Sequence, residues 1–95
     1  MSDPGLLILA SLADADKHGY AIMEDMSNFA GVRLGAGTLY GAITRLEEKG
    51  WIRGLDSAER RRPYRLTAAG RRHLREQLNS VNQIVTVGLA RLERA

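Results

Sequence analysis

Apolar residues recur along this chain in two rhythms. Leu6, Leu7, Leu9, Ala10 and Ala13 lie at three- and four-residue spacing, with Pro4 suited to a first helical turn, which predicts a helix ending near Ala13. Asp14 or Asp16 then offers a carboxylate N-cap, and Ile22, Met23, Met26 and Phe29 repeat at helical spacing, which predicts a second helix from Lys17 to Asn28. Gly31, Gly35 and Gly37 interrupt the pattern as a turn. Leu39, Ile43 and Leu46 form the inward stripe of a third helix, which Gly50 stops directly after Lys49. Past Gly50 the rhythm becomes alternating. Trp51-Ile52-Arg53-Gly54-Leu55 and Arg62-Pro63-Tyr64-Arg65-Leu66 read as short strands, and the polar stretch from Asp56 to Arg61 supplies no core residue, which predicts a hairpin with an exposed tip. Pro63, lacking an N–H, confines its position to an edge or a strand start. Thr67 is an N-cap, and the pattern from there to the end is helical.

Three short helices, a hairpin and one more helix make a mainly α fold with a small β-hairpin, in the order of a winged helix-turn-helix. The expected organisation is a winged helix-turn-helix over 1–67 and a C-terminal dimerisation helix over 68–95. In such an arrangement the third helix enters the major groove of double-stranded DNA and the wing lies along the phosphate backbone or minor groove. In the last helix Leu74, Leu78, Val81, Val85, Gly88 and Leu92 are separated by four, three, four, three and four residues, a heptad-type seam. At about 1.5 Å per residue this helix reaches roughly 40 Å, longer than so small a domain covers. The first turns near Leu74 are expected to pack on their own domain. Leu78, Val81, Val85 and Leu92 are expected to make a homodimer.

Composition adds limits. The 95 residues suit one domain with a modest core, and shares of 44% hydrophobic and 26% charged residues are those of a folded domain. No cysteine is present, which excludes disulfides, thiolate zinc sites and cysteine nucleophiles and suits a reducing cytoplasm, the expected location. The apolar run from Leu6 to Leu12 ahead of Ala13-Asp14-Ala15 has the outline of a secretory leader. Asp3 and the lack of any Lys or Arg before it argue against one, and the run is too short to span a bilayer, so a core helix and no membrane partner are expected. Charge is uneven. Residues 1–50 hold four basic and seven acidic side chains, residues 51–95 ten and four, and eight arginines lie between Arg53 and Arg75. Such a surface attracts polyanions, and arginine forks favour phosphate oxygens. A solvated face, or a docking surface for an acidic protein partner, remains the alternative.

Three segments resemble the PadR family of winged-helix transcriptional regulators: His18-Gly19-Tyr20-Ala21-Ile22; Gly37-Thr38-Leu39-Tyr40 running on to the segment from Arg45 to Ile52; and Arg61-Arg62-Pro63-Tyr64-Arg65-Leu66-Thr67-Ala68-Ala69-Gly70. The resemblance covers roughly residues 6 to 75. It implies a dimeric regulator, usually a repressor, whose helix with the Thr-Leu-Tyr motif reads DNA. It also places His18 at the start of the second helix, in a structural or DNA-backbone role.

The residue arithmetic bears on the same helix. With Leu39, Ile43 and Leu46 inward, Thr38, Gly41, Ala42 and Arg45 fall on another face, with Tyr40 and Thr44 beside it. Arg45 is the base-reading candidate at its centre, since a guanidinium bonds both acceptors of a guanine edge. Thr38 and Tyr40 suit phosphate contacts, by position at the helix start and by hydroxyl. A Tyr40 ring packed on the core is the competing reading. Arg60, Arg61 and Arg62 are expected to contact phosphates from the wing. His18 and His73 lie far apart in sequence, so no metal site is expected. The glycines from Gly31 to Gly41 lack a preceding strand and any Gly-Lys-Ser or Gly-Lys-Thr, so no nucleotide loop is expected. No catalytic residue or cofactor is expected. A small-molecule effector is left open.

Overall fold

The structure, a computed structural model, describes residues 3–56 and 62–95. Asp3 starts the first helix by accepting the Gly5 N–H at 3.1 Å, and Pro4 occupies a first turn that needs no N–H, giving α1 over Pro4–Ser11. The second helix begins later than the spacing predicts, because neither Asp14 nor Asp16 is its cap. Asp14 is held by Lys17 Nζ and Asp16 by Arg65 Nη2, each at 2.7 Å. Lys17–His18 is instead a short strand, β1, and His18 caps α2 (Gly19–Ala30) by accepting the Ala21 N–H on Nδ1 at 3.4 Å. Gly31, at φ 64°, closes α2 in the left-handed conformation that a Cβ disfavours. Ile22 and Met26 of α2 are buried as the spacing predicts, whereas Phe29, in the last turn, stays half exposed. The third helix, α3, covers Ala36–Glu48. Gly37, expected in the turn, lies inside it.

β2 (Ile52–Gly54) and β3 (Pro63–Leu66) pair antiparallel, with Ile52 opposite Leu66 and Gly54 opposite Tyr64. Ile52, Tyr64 and Leu66 point into the core, and Arg53 and Arg65 point out. The hairpin is one strand short of the observed sheet. β1 pairs with the other side of β3, Lys17 opposite Tyr64, so the order is β1-β3-β2. Two residues are too few to show an alternating pattern, which is why the sequence conceals β1. Pro63 stands at the start of its strand, as its missing N–H requires, although that strand is the central one.

The core gathers Ile8 and Leu9 of α1, Ile22 and Met26 of α2, Leu39 and Ile43 of α3, and Ile52 of β2. Ser11, buried among them, donates from its hydroxyl to Asp25 Oδ2 at 2.7 Å and so ties α1 to α2.

The last helix, α4 (Ala68–Arg94), starts at the expected cap, Thr67, which accepts the Gly70 N–H at 3.0 Å. The Thr67 hydroxyl also donates to the Gly50 carbonyl at 2.6 Å, and the Thr67 N–H donates to the Trp51 carbonyl at 3.0 Å. Of α4 only Gly70 and Leu74 are buried. The remainder projects, so the molecule measures 57 × 26 × 20 Å with a radius of gyration of 15.0 Å. A compact chain of this length has a radius of gyration of about 12 Å.

Two glycines inside helices should respond oppositely to alanine. A Cβ at Gly70 would collide with the Trp51 carbonyl group and stand 2.9 Å from Leu66 Cδ1, whereas one at Gly41 meets nothing within 4 Å. Gly70→Ala is expected to destabilise the fold by about 1–3 kcal/mol through overpacking. Gly41→Ala is expected to stabilise it by about 0.5–1 kcal/mol through helix propensity. Urea midpoints of the two variants check both signs.

Candidate nucleic-acid interface

The exposed side of α3 follows from which of its residues the core takes. Leu39, Ala42, Ile43 and Leu46 are buried. Ala42 therefore belongs to the core and not to the outer face on which its spacing from Thr38 and Arg45 placed it. Helical periodicity then puts Gly37, Gly41, Thr44 and Glu48 on the stripe opposite the core, with Thr38 and Arg45 on one flank and Tyr40 and Glu47 on the other. Thr38, Tyr40, Thr44 and Arg45 are all exposed. Arg45 leans toward α1 and α4, where it lines a cleft with Asp3, Lys49 and Trp51. At the middle of the outward face stand Gly41 and Thr44. Thr44 donates its hydroxyl hydrogen to the Tyr40 carbonyl at 2.9 Å, a common back-bond in helices.

Tyr40 joins α3 to the start of α2. Its ring lies against Gly19, where a built Cβ would overlap the Tyr40 hydroxyl and come within 2.7 Å of Cζ. Gly19 is buried and Tyr40 is 47% exposed, so the ring neither enters the core nor stands free. Tyr64, Glu47 and Arg62 complete this corner. Burial, with the Glu47 carboxylate next in strength and Tyr40 beside it, pushes the Tyr64 phenol above its ordinary range, and the Arg62 guanidinium opposes the shift. Tyr20, on the first turn of α2, is half exposed. Sequence reasoning missed the seats supplied by Gly19 and Glu47; the pairing of a buried glycine with an aromatic 21 positions later leaves no local periodicity to find.

Of the three wing arginines, Arg62 is exposed and donates from Nη2 to the Gly54 carbonyl at 3.4 Å, while Arg60 and Arg61 lie outside the described residues. Arg53 is exposed on the outer face of the sheet. Arg65, its cross-strand neighbour, is committed to Asp16 through both Nε and Nη2, at 3.1 and 2.7 Å. That fork holds the Asp16 carboxyl below the usual carboxylate range and raises Arg65 in turn. Arg71, Arg72 and Arg75 are exposed on the first turns of α4. Arginines therefore run from the wing onto α4, and among the described residues Arg65 is the one paired with an acid.

The two histidines have separate structural tasks. His18 caps α2, and His73 stacks on Trp51 with ring centroids 3.7 Å apart. Among the described residues no group of three His, Asp or Glu side chains is placed to hold a metal ion, and no helix is long and apolar enough to cross a membrane. Along α4, Leu78, Val85 and Leu92 are exposed and Val81 is half-buried. Ile84 and Leu89, which a strict four-three spacing skips, widen that apolar stripe.

Comparison with known proteins gives the same fold. The model of the transcriptional regulator PadR-like family matches residues 8–76. An uncharacterised 37.1 kDa protein in transposon TN4556 of Streptomyces fradiae is 43% identical over 83 residues, covering 87% of this chain. The chain spans 24% of that relative's length. A PadR family transcription regulator from Clostridium difficile R20291 superposes with a TM-score of 0.81 at 29% identity, covering 88% of this chain and 92% of that one. Bacillus subtilis PadR, solved in complex with operator DNA, superposes with a TM-score of 0.70 at 21% identity, covering 82% of this chain and 48% of that one, a likeness of fold. With a family model matched from α1 into α4 and a winged-helix architecture shared with these structures, the chain belongs to the PadR-like family of transcriptional regulators.

Proposed function

We propose that this chain binds double-stranded DNA sequence-specifically as a homodimer on an inverted-repeat operator and acts as a repressor by occluding the promoter. The observation that carries this reading is the joint exposure of the outer side of α3 and of arginines that continue from Arg62 to Arg75. A helix free to enter a major groove and a basic flank free to follow the phosphates are what a winged-helix DNA reader requires. The operator complex of Bacillus subtilis PadR, which shares the fold, supports it. In this reading Arg45 contacts a guanine from the flank of α3, and Thr44 contacts the base edges nearest the helix. Thr38 and Tyr40 take phosphates. Tyr40 is braced for that by Gly19. Arg62, with Arg60 and Arg61, follows the backbone, and His18 positions α2 against it. The protein works in the cytoplasm, where the DNA is. Selection of bound sequences from a random DNA pool tests the reading; an inverted repeat is expected, and recovery of no enriched sequence would overturn it.

The DNA contacts divide into two kinds with different signatures. Arg62→Ala is expected to weaken selected and random DNA alike and to lower the slope of log affinity against log salt by about 0.9, as loss of one phosphate contact does. Arg45→Ala is expected to cost about 1–3 kcal/mol on the selected sequence and to relax preference at one base pair. Equal loss on every sequence would move Arg45 to the phosphate group of contacts.

The exposed stripe of α4 makes the dimer in this reading. Leu78, Val81, Val85 and Leu92, widened by Ile84 and Leu89, form a contiguous apolar face on a projecting helix, and a second copy covers it by twofold symmetry. Two recognition helices then lie about one DNA turn, roughly 34 Å, apart. Val85→Asp places a charge at the seam in both protomers. Sedimentation is expected to show a folded monomer with weak half-site binding, and an intact dimer would remove this interface.

A further inference from the structure

Two of the side chains read above as phosphate contacts lie over glycines of neighbouring elements. Tyr40 lies against Gly19, and Arg62 lies across Gly54 of β2. A Cβ built at Gly54 would overlap Arg62 Nε and Cζ and come within 2.7 Å of Nη2, so the guanidinium occupies the place that a side chain would take. The same guanidinium donates from Nη2 to the Gly54 carbonyl at 3.4 Å. The backbone beneath it is held on both sides. Gly54 pairs with Tyr64, and the Leu55 N–H donates to the Pro63 carbonyl at 2.8 Å, which carries the pairing one step past the strands. Among the described glycines, positive φ occurs at Gly31 and Gly50, so the backbone at Gly54 does not itself call for glycine. The nearest atoms to a side chain there all belong to Arg62. The Tyr64 phenol lies within electrostatic reach of Glu47, Tyr40 and Arg62 alike, so the two glycine seats share one corner, where the wing meets α3 and the start of α2.

We propose that Gly54 is a positioning residue: by leaving out a side chain it seats Arg62 in the orientation that meets a DNA phosphate, the service that Gly19 gives Tyr40. The seat stands on the geometry of the wing. Its service to DNA rests on the DNA reading argued above. An arginine free in water loses rotamer freedom when it grips a phosphate, a cost equivalent to about two- to tenfold in affinity. Held across Gly54 before DNA arrives, Arg62 has lost part of that freedom already. Gly54 therefore adds affinity without touching DNA. Because phosphates carry no sequence information, it adds it for every sequence alike.

Gly54→Ala fills the seat and displaces an exposed, flexible side chain rather than backbone, so the urea midpoint is expected to stay near that of the wild type. Should the midpoint fall, adding Arg62→Ala is expected to restore it, since the displaced atoms are then gone; a fall without restoration overturns the seat. One arm of the test contains no DNA and follows the heteronuclear relaxation of the Arg62 Nε–H in the full chain. Restricted motion is expected in the wild type and the motion of a freely solvated arginine in Gly54→Ala. Equal mobility in the two proteins overturns the seat. The other arm measures affinity for the selected operator and for random DNA over a range of salt. Gly54→Ala is expected to bind both about two- to tenfold more weakly. Its slope of log affinity against log salt should be unchanged, because Arg62 still reaches its phosphate, whereas Arg62→Ala lowers that slope by about 0.9. In an Arg62→Ala background, Gly54→Ala is expected to cost nothing further. Undiminished affinity of Gly54→Ala, or the same loss in both backgrounds, overturns the positioning role. Failure of the wild type to bind any DNA counts against the DNA reading alone, since the relaxation arm contains none.

Discussion

The structure turns on the junction where Gly50 and Trp51 meet Thr67 and Gly70. Thr67 is at once the cap of α4, a donor to the Gly50 carbonyl through its hydroxyl, and a donor to the Trp51 carbonyl through its N–H. Gly70 removes the Cβ that would keep the backbone of α4 from that carbonyl. The end of α3, the entry to β2, the exit from β3 and the start of α4 thus share one hydrogen-bonded knot. These polar groups are satisfied by one another, so losing the Thr67 hydroxyl would unmake two hydrogen bonds of the knot at once. The angle between α3 and the projecting α4 is set here. In the proposed dimer, the spacing between the two copies of α3 is inherited from it.

Much of this was legible in the chain. Helical spacing identified α1, α3 and α4, and alternation identified β2 and β3; α3, β2 and β3 bury one face and leave the other in water, whereas α1 has no exposed residue and α4 is buried only at Gly70 and Leu74. Thr67 was legible as a cap because its hydroxyl stands just before the first periodic residue. The start of α2 was not, since two plausible caps, Asp14 and Asp16, were both drawn into ion pairs with partners invisible to local pattern, one of them 49 residues away. β1 escaped for a related reason: its identity comes from β3 and not from its own two residues. Of the candidate site, the exposure of Thr38, Tyr40, Thr44 and Arg45 followed from the inward stripe. Ala42 did not, because a small apolar residue beside the stripe is admitted to a core that a longer one would overfill. The stripe on α4 was legible in outline, and its width through Ile84 and Leu89 was not, since a strict heptad is narrower than the face of a straight helix.

Arg45 illustrates how a helix with little polar reach divides its work. The two glycines and the threonine on its outward stripe let a backbone come close to whatever the helix faces, and they supply few donors of their own. The longer donors, Arg45 and Tyr40, stand on opposite flanks: Arg45 lines the cleft beside α1, and Tyr40 lies against Gly19. In the proposed DNA reading, discrimination depends on residues of both flanks as much as on the outward stripe itself.

The placement of β3 at the centre of the sheet has a consequence for the order in which the molecule assembles. The helices α1, α2 and α3 follow one another through short turns, so their mutual contacts close small loops. The pairing of Lys17 with Tyr64 and the clasp of Asp16 by Arg65 each close a loop of nearly fifty residues, whose entropy must be spent before the contact returns anything. The three helices therefore collapse first, and the edge strand β1 is zipped onto β3 late. Contacts made after the barrier govern how fast a protein comes apart more than how fast it forms. Lys17, His18 and the Asp16–Arg65 pair thus act as a latch on the lifetime of the folded state.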